Sequence, residues 1–197
     1  MDIETKEIKE IRAKNTHEAN SGKKTEKKGK KKSCLDKALA KLNYRMRTES
    51  ELRKSLKEDG YEEGEIEETV EELKNFGYLD DARYIREYYK VSKRKGWADR
   101  RILNELKRKG IKSDFADNTI QDFKDSDEFS DLNLEEDEKV TAYEVGVKMA
   151  KSQINAGKAL DDKFMAKVGR RLMSLGYNSG CCYYVIGKLR NYNPEEE

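Results

Sequence analysis

The sequence is poor in the residues that most chemistry needs. Its 197 residues include one proline, one histidine, one tryptophan and three cysteines. The proline, Pro194, lies near the end, so nothing within the chain forbids helix. The single histidine, His17, sits in a charged N-terminal stretch, which excludes histidine-based triads and the usual zinc sites. Cys34, Cys181 and Cys182 lack metal-ligand spacing and read as small buried hydrophobes. No glycine loop has the form that cradles phosphate. No run approaches the roughly 20 apolar residues of a membrane span, and none follows the N-terminus as a secretory signal would. These absences lead us to expect a cytoplasmic protein that is not an enzyme and uses no cofactor or metal.

What is present is a repeat. Gly60, Gly110 and Gly176 are flanked in one register. Leu52, Ile102 and Val168 stand before them, then Leu56, Leu106 and Leu172; Tyr61, Ile111 and Tyr177 follow directly. Further on come Ile66, Ala116 and Cys182, then Val70, Ile120 and Ile186, then Leu73, Phe123 and Leu189. The spacings on both sides are helical, and glycine ends a helix cheaply in the left-handed conformation. A helix–Gly–helix unit therefore occurs three times. Charged residues make up 42% of the chain and hydrophobic ones 35%, so a core must be thin and spread along it. Stacked repeats tolerate that, because each buries its stripe against its neighbours.

The expected fold is all-α: an elongated, curved tandem array of three three-helix repeats, nine helices in all. Residues 1–33 form a lysine-rich tail expected to be disordered, 34–77 repeat 1, 78–123 repeat 2, 124–138 an acidic loop, and 139–193 repeat 3. Leu35, Leu39, Leu42 and Met46 mark the first helix. Thr48 and Glu51 match a capping box, and Asp80, Ser113 and Ser179 are expected caps. A stripe of Val140, Tyr143, Val147, Ala150 and Ile154 opens the third repeat.

With the repeats placed, Gly77-Tyr78-Leu79-Asp80-Asp81-x-Arg83-Tyr84 becomes readable together with Lys95-Gly96-Trp97 and Ile102-x-x-Glu105-Leu106-x-x-Lys109-Gly110-Ile111. These residues closely resemble the RecX family of bacterial recombination regulators. Thr48-x-x-Glu51-Leu52-x-x-x-Leu56-x-x-x-Gly60-Tyr61 is similar to that family's first repeat, and Leu172-x-x-x-Gly176-Tyr177 to its third. The resemblance implies a non-catalytic modulator that binds the RecA recombinase and its filament on single-stranded DNA. It also implies restraint of ATP hydrolysis, strand exchange and coprotease activity.

Charge points to a surface. Formal net charge is only +2, yet same-sign residues cluster. Lys93, Arg94, Lys95, Arg100, Arg101, Lys107, Arg108 and Lys109 crowd the middle repeat, and Lys167, Arg170 and Arg171 the third. Such clustering forgoes favourable i,i+4 pairs, and a strip continuing across repeats suits a filament or a nucleic-acid backbone. These eleven are the candidate partner-binding residues, for RecA and for single-stranded DNA reached directly or through RecA, in a protein expected to act as a monomer. Two alternatives stand beside this reading: a helix-turn-helix-like DNA-binding module, and a generic helical scaffold. Against the first, Glu62 to Glu72 and Asp114, Asp117 and Asp122 make the helices after Gly60 and Gly110 acidic, where recognition helices present Arg, Lys, Asn or Gln.

Overall fold

The computed structural model describes residues 32–132 and 137–193. Among these there are helices and no strands. Repeat 1 comprises α1 (Cys34–Tyr44), α2 (Glu49–Glu58) and α3 (Glu63–Asn75); repeat 2, α4 (Asp81–Arg94), α5 (Asp99–Arg108) and α6 (Ser113–Lys124). A short α7 (Asp127–Asp131) follows, then repeat 3 with α8 (Glu138–Asn155), α9 (Asp162–Ser174) and α10 (Ser179–Leu189). The tail lies outside the described residues up to position 31, as does Pro194.

The glycine register is the organising rule. Gly60, Gly110 and Gly176 adopt φ of 82°, 83° and 100°, in the left-handed region where a Cβ is costly. In each unit the amide just past the glycine bonds back to the leucine carbonyl four residues before it: Tyr61 to Leu56, Ile111 to Leu106, Tyr177 to Leu172. All the apolar register positions are buried except Ile186, which is half-buried. In α10 the inward positions shift by one residue, so Cys181 and Val185 enter the core beside Cys182 and Leu189.

Local departures from expectation each have a physical reason. Met46 is exposed and Leu39 and Leu42 are half-buried, because α1 turns Cys34, Leu35 and Ala38 inward and ends at Tyr44. In α8 the buried face is Thr141, Ala142, Gly146, Val147 and Ala150, small residues that admit α10 closely; Val140 is exposed. A Cβ on Gly146 would lie 2.7 Å from a Val185 methyl. Thr48 and Asp80 cap α2 and α4 as expected. The caps of α6 and α10 are Lys112 and Asn178, one residue earlier than Ser113 and Ser179. The capping box at Thr48 is half made, since the Glu51 carboxylate is engaged elsewhere; the complete box is Glu62 with Glu65.

The acidic stretch is not simply a loop. Its residues 133–136 lie outside the described region, but α7 docks on repeat 2. Phe129 is buried there, with its ring 5.5 Å from Phe123 and 6.4 Å from Tyr89, and Lys90 pairs with Glu128. Phe129, with the half-buried Leu132 beside it, seats the segment.

Leu106 is fully buried, so Leu106→Ala is expected to cost about 2–5 kcal/mol in denaturant unfolding. Gly110→Ala combines a positive φ with a Cβ 2.1 Å from the Ser50 hydroxyl and is expected to cost more than about 1 kcal/mol. Adding Ser50→Gly should recover part of that loss and leave the backbone strain.

Candidate partner-binding surface

The surface is built at the seams between repeats, and both seams obey one pattern. The N-terminal end of a second helix meets the hinge of the next repeat. The Thr48 hydroxyl donates to the Lys109 carbonyl at 2.7 Å while accepting from the Glu51 amide. At the equivalent place, the Ala98 amide donates to the Leu175 carbonyl at 3.0 Å. The next amide is taken by an acid that opens the following repeat's first helix. Glu49 N–H donates to Asp81 at 2.9 Å, and Asp99 N–H to Glu138 at 3.0 Å. Helix N-termini favour such carboxylates, because their first amides lack intrahelical partners.

These seams consume several of the expected binding residues. Lys93 is buried, its ammonium 3.5 Å from Asp99 and 5.9 Å from the Tyr89 ring; at that distance it is a charge pair without a direct hydrogen bond. It cannot meet a partner without unpacking, which corrects its place in the strip. Asp99 also accepts from Tyr89 and Lys124. Burial alone would raise the Asp99 carboxyl, but Lys124, Lys93 and Tyr89 outweigh it and hold it below the usual carboxylate range.

Lys109 spans the first seam, bonding Glu51 at 3.0 Å and lying over the Tyr84 and Tyr88 rings. Burial works against the Lys109 charge, yet Tyr84 and Glu51 hold its pKa above the ordinary value. Glu51 shows the converse: burial is outweighed by Lys109 and Arg45, and its pKa is lowered.

Arg101 belongs to the second seam. Its guanidinium donates to the Ser174 carbonyl at 2.6 Å and stacks 3.9 Å from the centre of the Trp97 ring. Gly176 is required opposite it, since a Cβ there would fall 2.6 Å from the Arg101 Cβ. Arg100 donates to the Gly176 carbonyl at 3.1 Å but stays exposed. Trp97 itself packs between repeats 2 and 3, edge-on to Tyr88.

The remaining candidates are exposed: Arg94, Lys95, Lys107, Arg108, Lys167, Arg170 and Arg171. Among the described residues Arg108 pairs with Glu105 alone, three residues away on the same helix. The structure brings four of them together across the second seam. Arg94 and Lys95 from the end of α4, and Lys167 and Arg171 from α9, line one open cleft of about 430 Å³. Lys148 of α8 joins them, a residue that charge runs along the sequence do not single out. Arg170 lines an adjoining depression of about 520 Å³ with Lys163 and Lys158, and Lys167 is common to both. Lys107 and Arg108 lie at the end of α5 and line neither.

Among the described residues no group of three or more His, Cys, Asp or Glu side chains is arranged to hold a metal ion, and no helix is long and apolar enough to cross a membrane. Cys34, Cys181 and Cys182 are free and buried, and burial pushes the Cys181 and Cys182 thiols up.

The seam assignment separates two arginines that share α5. Arg108→Glu is expected to change stability by less than about 0.5 kcal/mol, as exposed sites do. Arg101→Glu is expected to cost about 1–3 kcal/mol through the carbonyl it abandons and the ring it uncovers. Urea unfolding followed by the fluorescence of Trp97, the only tryptophan, measures both.

The fold has known counterparts. The RecX structure from Lactobacillus salivarius superposes with a TM-score of 0.60 at 19% identity, over 81% of this chain and 96% of that one. The family model for the first three-helix domain of RecX matches residues 34–73, and that for the second matches residues 80–120. The regulatory protein RecX of Vibrio vulnificus (strain CMCP6) is 29% identical over 146 residues, 74% of this chain and 86% of that protein. That of Clostridium perfringens (strain SM101 / Type A) is 32% identical over 161 residues, 80% of this chain and 69% of its relative. Three glycine-hinged repeats, two matched domains and this extent of identity make the chain a member of the RecX family of regulatory proteins.

Proposed function

We propose that this chain is a non-catalytic, cytoplasmic modulator of the RecA recombinase. It binds RecA and its filament on single-stranded DNA and restrains ATP hydrolysis, strand exchange and coprotease activity. The observation that supports this most is the cationic surface at the second seam, in a chain whose relatives are regulatory proteins. Arg94, Lys95, Lys167 and Arg171 come from two repeats and meet on one face, so a long anionic or acidic partner can engage both repeats at once. Lys107 and Arg108 extend the cationic character along α5, and Arg170 along α9.

A recognition helix reading into a DNA groove fits the side chains less well. The helix after the first hinge exposes Glu62, Glu63, Glu65, Glu67, Glu68 and Glu71, which repel phosphate. In α6 the equivalent face carries Asp114, Asp117 and Asp122.

Titrating the protein into cognate RecA hydrolysing ATP on single-stranded DNA tests the proposal. Hydrolysis is expected to fall as the protein saturates the filament, and unchanged hydrolysis at saturation overturns the reading. Because Arg101 is structural, the discriminating variant is Lys107→Glu with Arg108→Glu. It should keep the wild-type melting temperature and shift the half-inhibitory concentration upward on the order of tenfold, as loss and reversal of interfacial charge do.

A further inference from the structure

We propose that the cleft across the second seam is a phosphate clamp. One phosphodiester group of a single-stranded nucleic acid sits between Arg94 of repeat 2 and Lys148, Lys167 and Arg171 of repeat 3, and its occupancy fastens the two repeats together. The inference rests on the reading that this basic surface is a binding surface; it adds the ligand group, a binding residue and a mechanical consequence.

The cleft gathers cations that the fold does not pair. Several cations elsewhere find carboxylates: Lys41 with Asp59, Arg53 with Glu49 and Glu67, Lys90 with Glu87 and Glu128, Lys124 with Asp99. Arg94, Lys148, Lys167 and Arg171 make no ion pair and no side-chain hydrogen bond among the described residues, although all four line the same cleft. Glu144 is the one carboxylate in the lining. Four like charges held together with a single carboxylate among them repel, and an anion between them relieves that repulsion.

The form of the cleft selects the anion. Its lining combines the cations with neutral polar residues such as Ser152 and Gln153 and the apolar Val145, Met149 and Leu175, and it holds no exposed aromatic ring on which a base could stack. Phe164 is in the lining but only 3% exposed. Sequence-tolerant single-strand sites combine a cationic track with aromatic platforms, and here only the track is present, so the backbone is what is held. Arginine supplies a planar fork matched to phosphate, and lysine a point charge.

The mechanical consequence follows from who supplies the cations. Arg94 stands at the end of α4 and the other three on α8 and α9, so a shared anion bridges the repeats. Leu175 belongs to the cleft lining, and its carbonyl takes the Ala98 amide in the seam bond. A ligand in the cleft therefore opposes opening of that bond.

The test uses the full chain without RecA, so its outcome is separate from that of the hydrolysis assay. A labelled oligothymidylate is titrated by fluorescence anisotropy against wild type, Lys148→Glu and, as a matched charge change in repeat 1, Lys54→Glu. Lys148→Glu is expected to bind on the order of tenfold more weakly than Lys54→Glu at low salt, with a salt slope shallower by about 0.7 per lost contact. Amide exchange at Ala98 in wild type should slow when the oligonucleotide is bound. Equal affinities of the two variants overturn the site, and unchanged exchange at Ala98 overturns the clamp. If polyglutamate competes as effectively as unlabelled oligothymidylate at equal charge, the cleft takes carboxylates of a protein partner and the phosphate assignment falls. Both variants alter exposed lysines, and unchanged circular dichroism melts exclude misfolding as the cause.

Discussion

Everything in the described array depends on how closely one repeat's hinge can approach the first turn of the second helix in the repeat before it. Gly110 backs onto Ser50 and Gly176 onto Arg101, each with no room for a Cβ. That closeness lets a helix N-terminus meet a helix C-terminus, where unsatisfied amides face unsatisfied carbonyls. The bonds from Thr48 to Lys109 and from Ala98 to Leu175 are the direct result. Glycine here has two roles, since the left-handed turn that ends one helix also provides the flat surface on which its neighbour rests.

The two seams share this geometry but differ in what fills it. The first is polar, with Lys109 between Glu51 and two tyrosine rings, and the Glu49 amide on Asp81. The second is part aromatic, with Trp97 in contact with the cores of both flanking repeats and Arg101 stacked on it. A chain with so many charges spends a share of them inside its own joints. Lys93, Arg101 and Lys109 are attracted to carboxylates, rings and carbonyls of the fold, while the cations of α9 and those at the ends of α4 and α5 stay exposed.

The fold was largely legible because the glycine register is local and periodic. Leu56, Leu106 and Leu172 lie in their cores for the reason their spacing implies. The seams were hidden because they join residues distant in sequence, often through main-chain carbonyls that carry no side-chain signature; Thr48 and Lys109 are an example. The same blindness misplaced Lys93, since a run of basic residues does not reveal which of them an adjacent aspartate draws inward. Lys148 was missed for the opposite reason. The residues directly beside it, Val147 and Met149, are neutral, and finding it required turning α8 so that Ala142, Gly146 and Ala150 face α10. The docking of α7 rested on Phe129 and Leu132, in a stretch whose acidity reads as loop.

The second helix of repeat 3 begins earlier than its counterparts. Counted from the hinge glycine, the places of Thr48 and Ala98 fall to Phe164, and those of Glu49 and Asp99 to Met165. Both lie within α9, which starts at Asp162; their amides are satisfied by Asp161, and their side chains are buried. The amide equivalent to that of Ala98 is therefore already occupied, and Phe164 has no hydroxyl to take the place of Thr48's. The bond that Ala98 makes to the hinge of repeat 3 has no counterpart at Phe164. One extra turn of helix at the start of α9 thus sets repeat 3 apart from the two repeats before it and seals the end that they leave open to a neighbour.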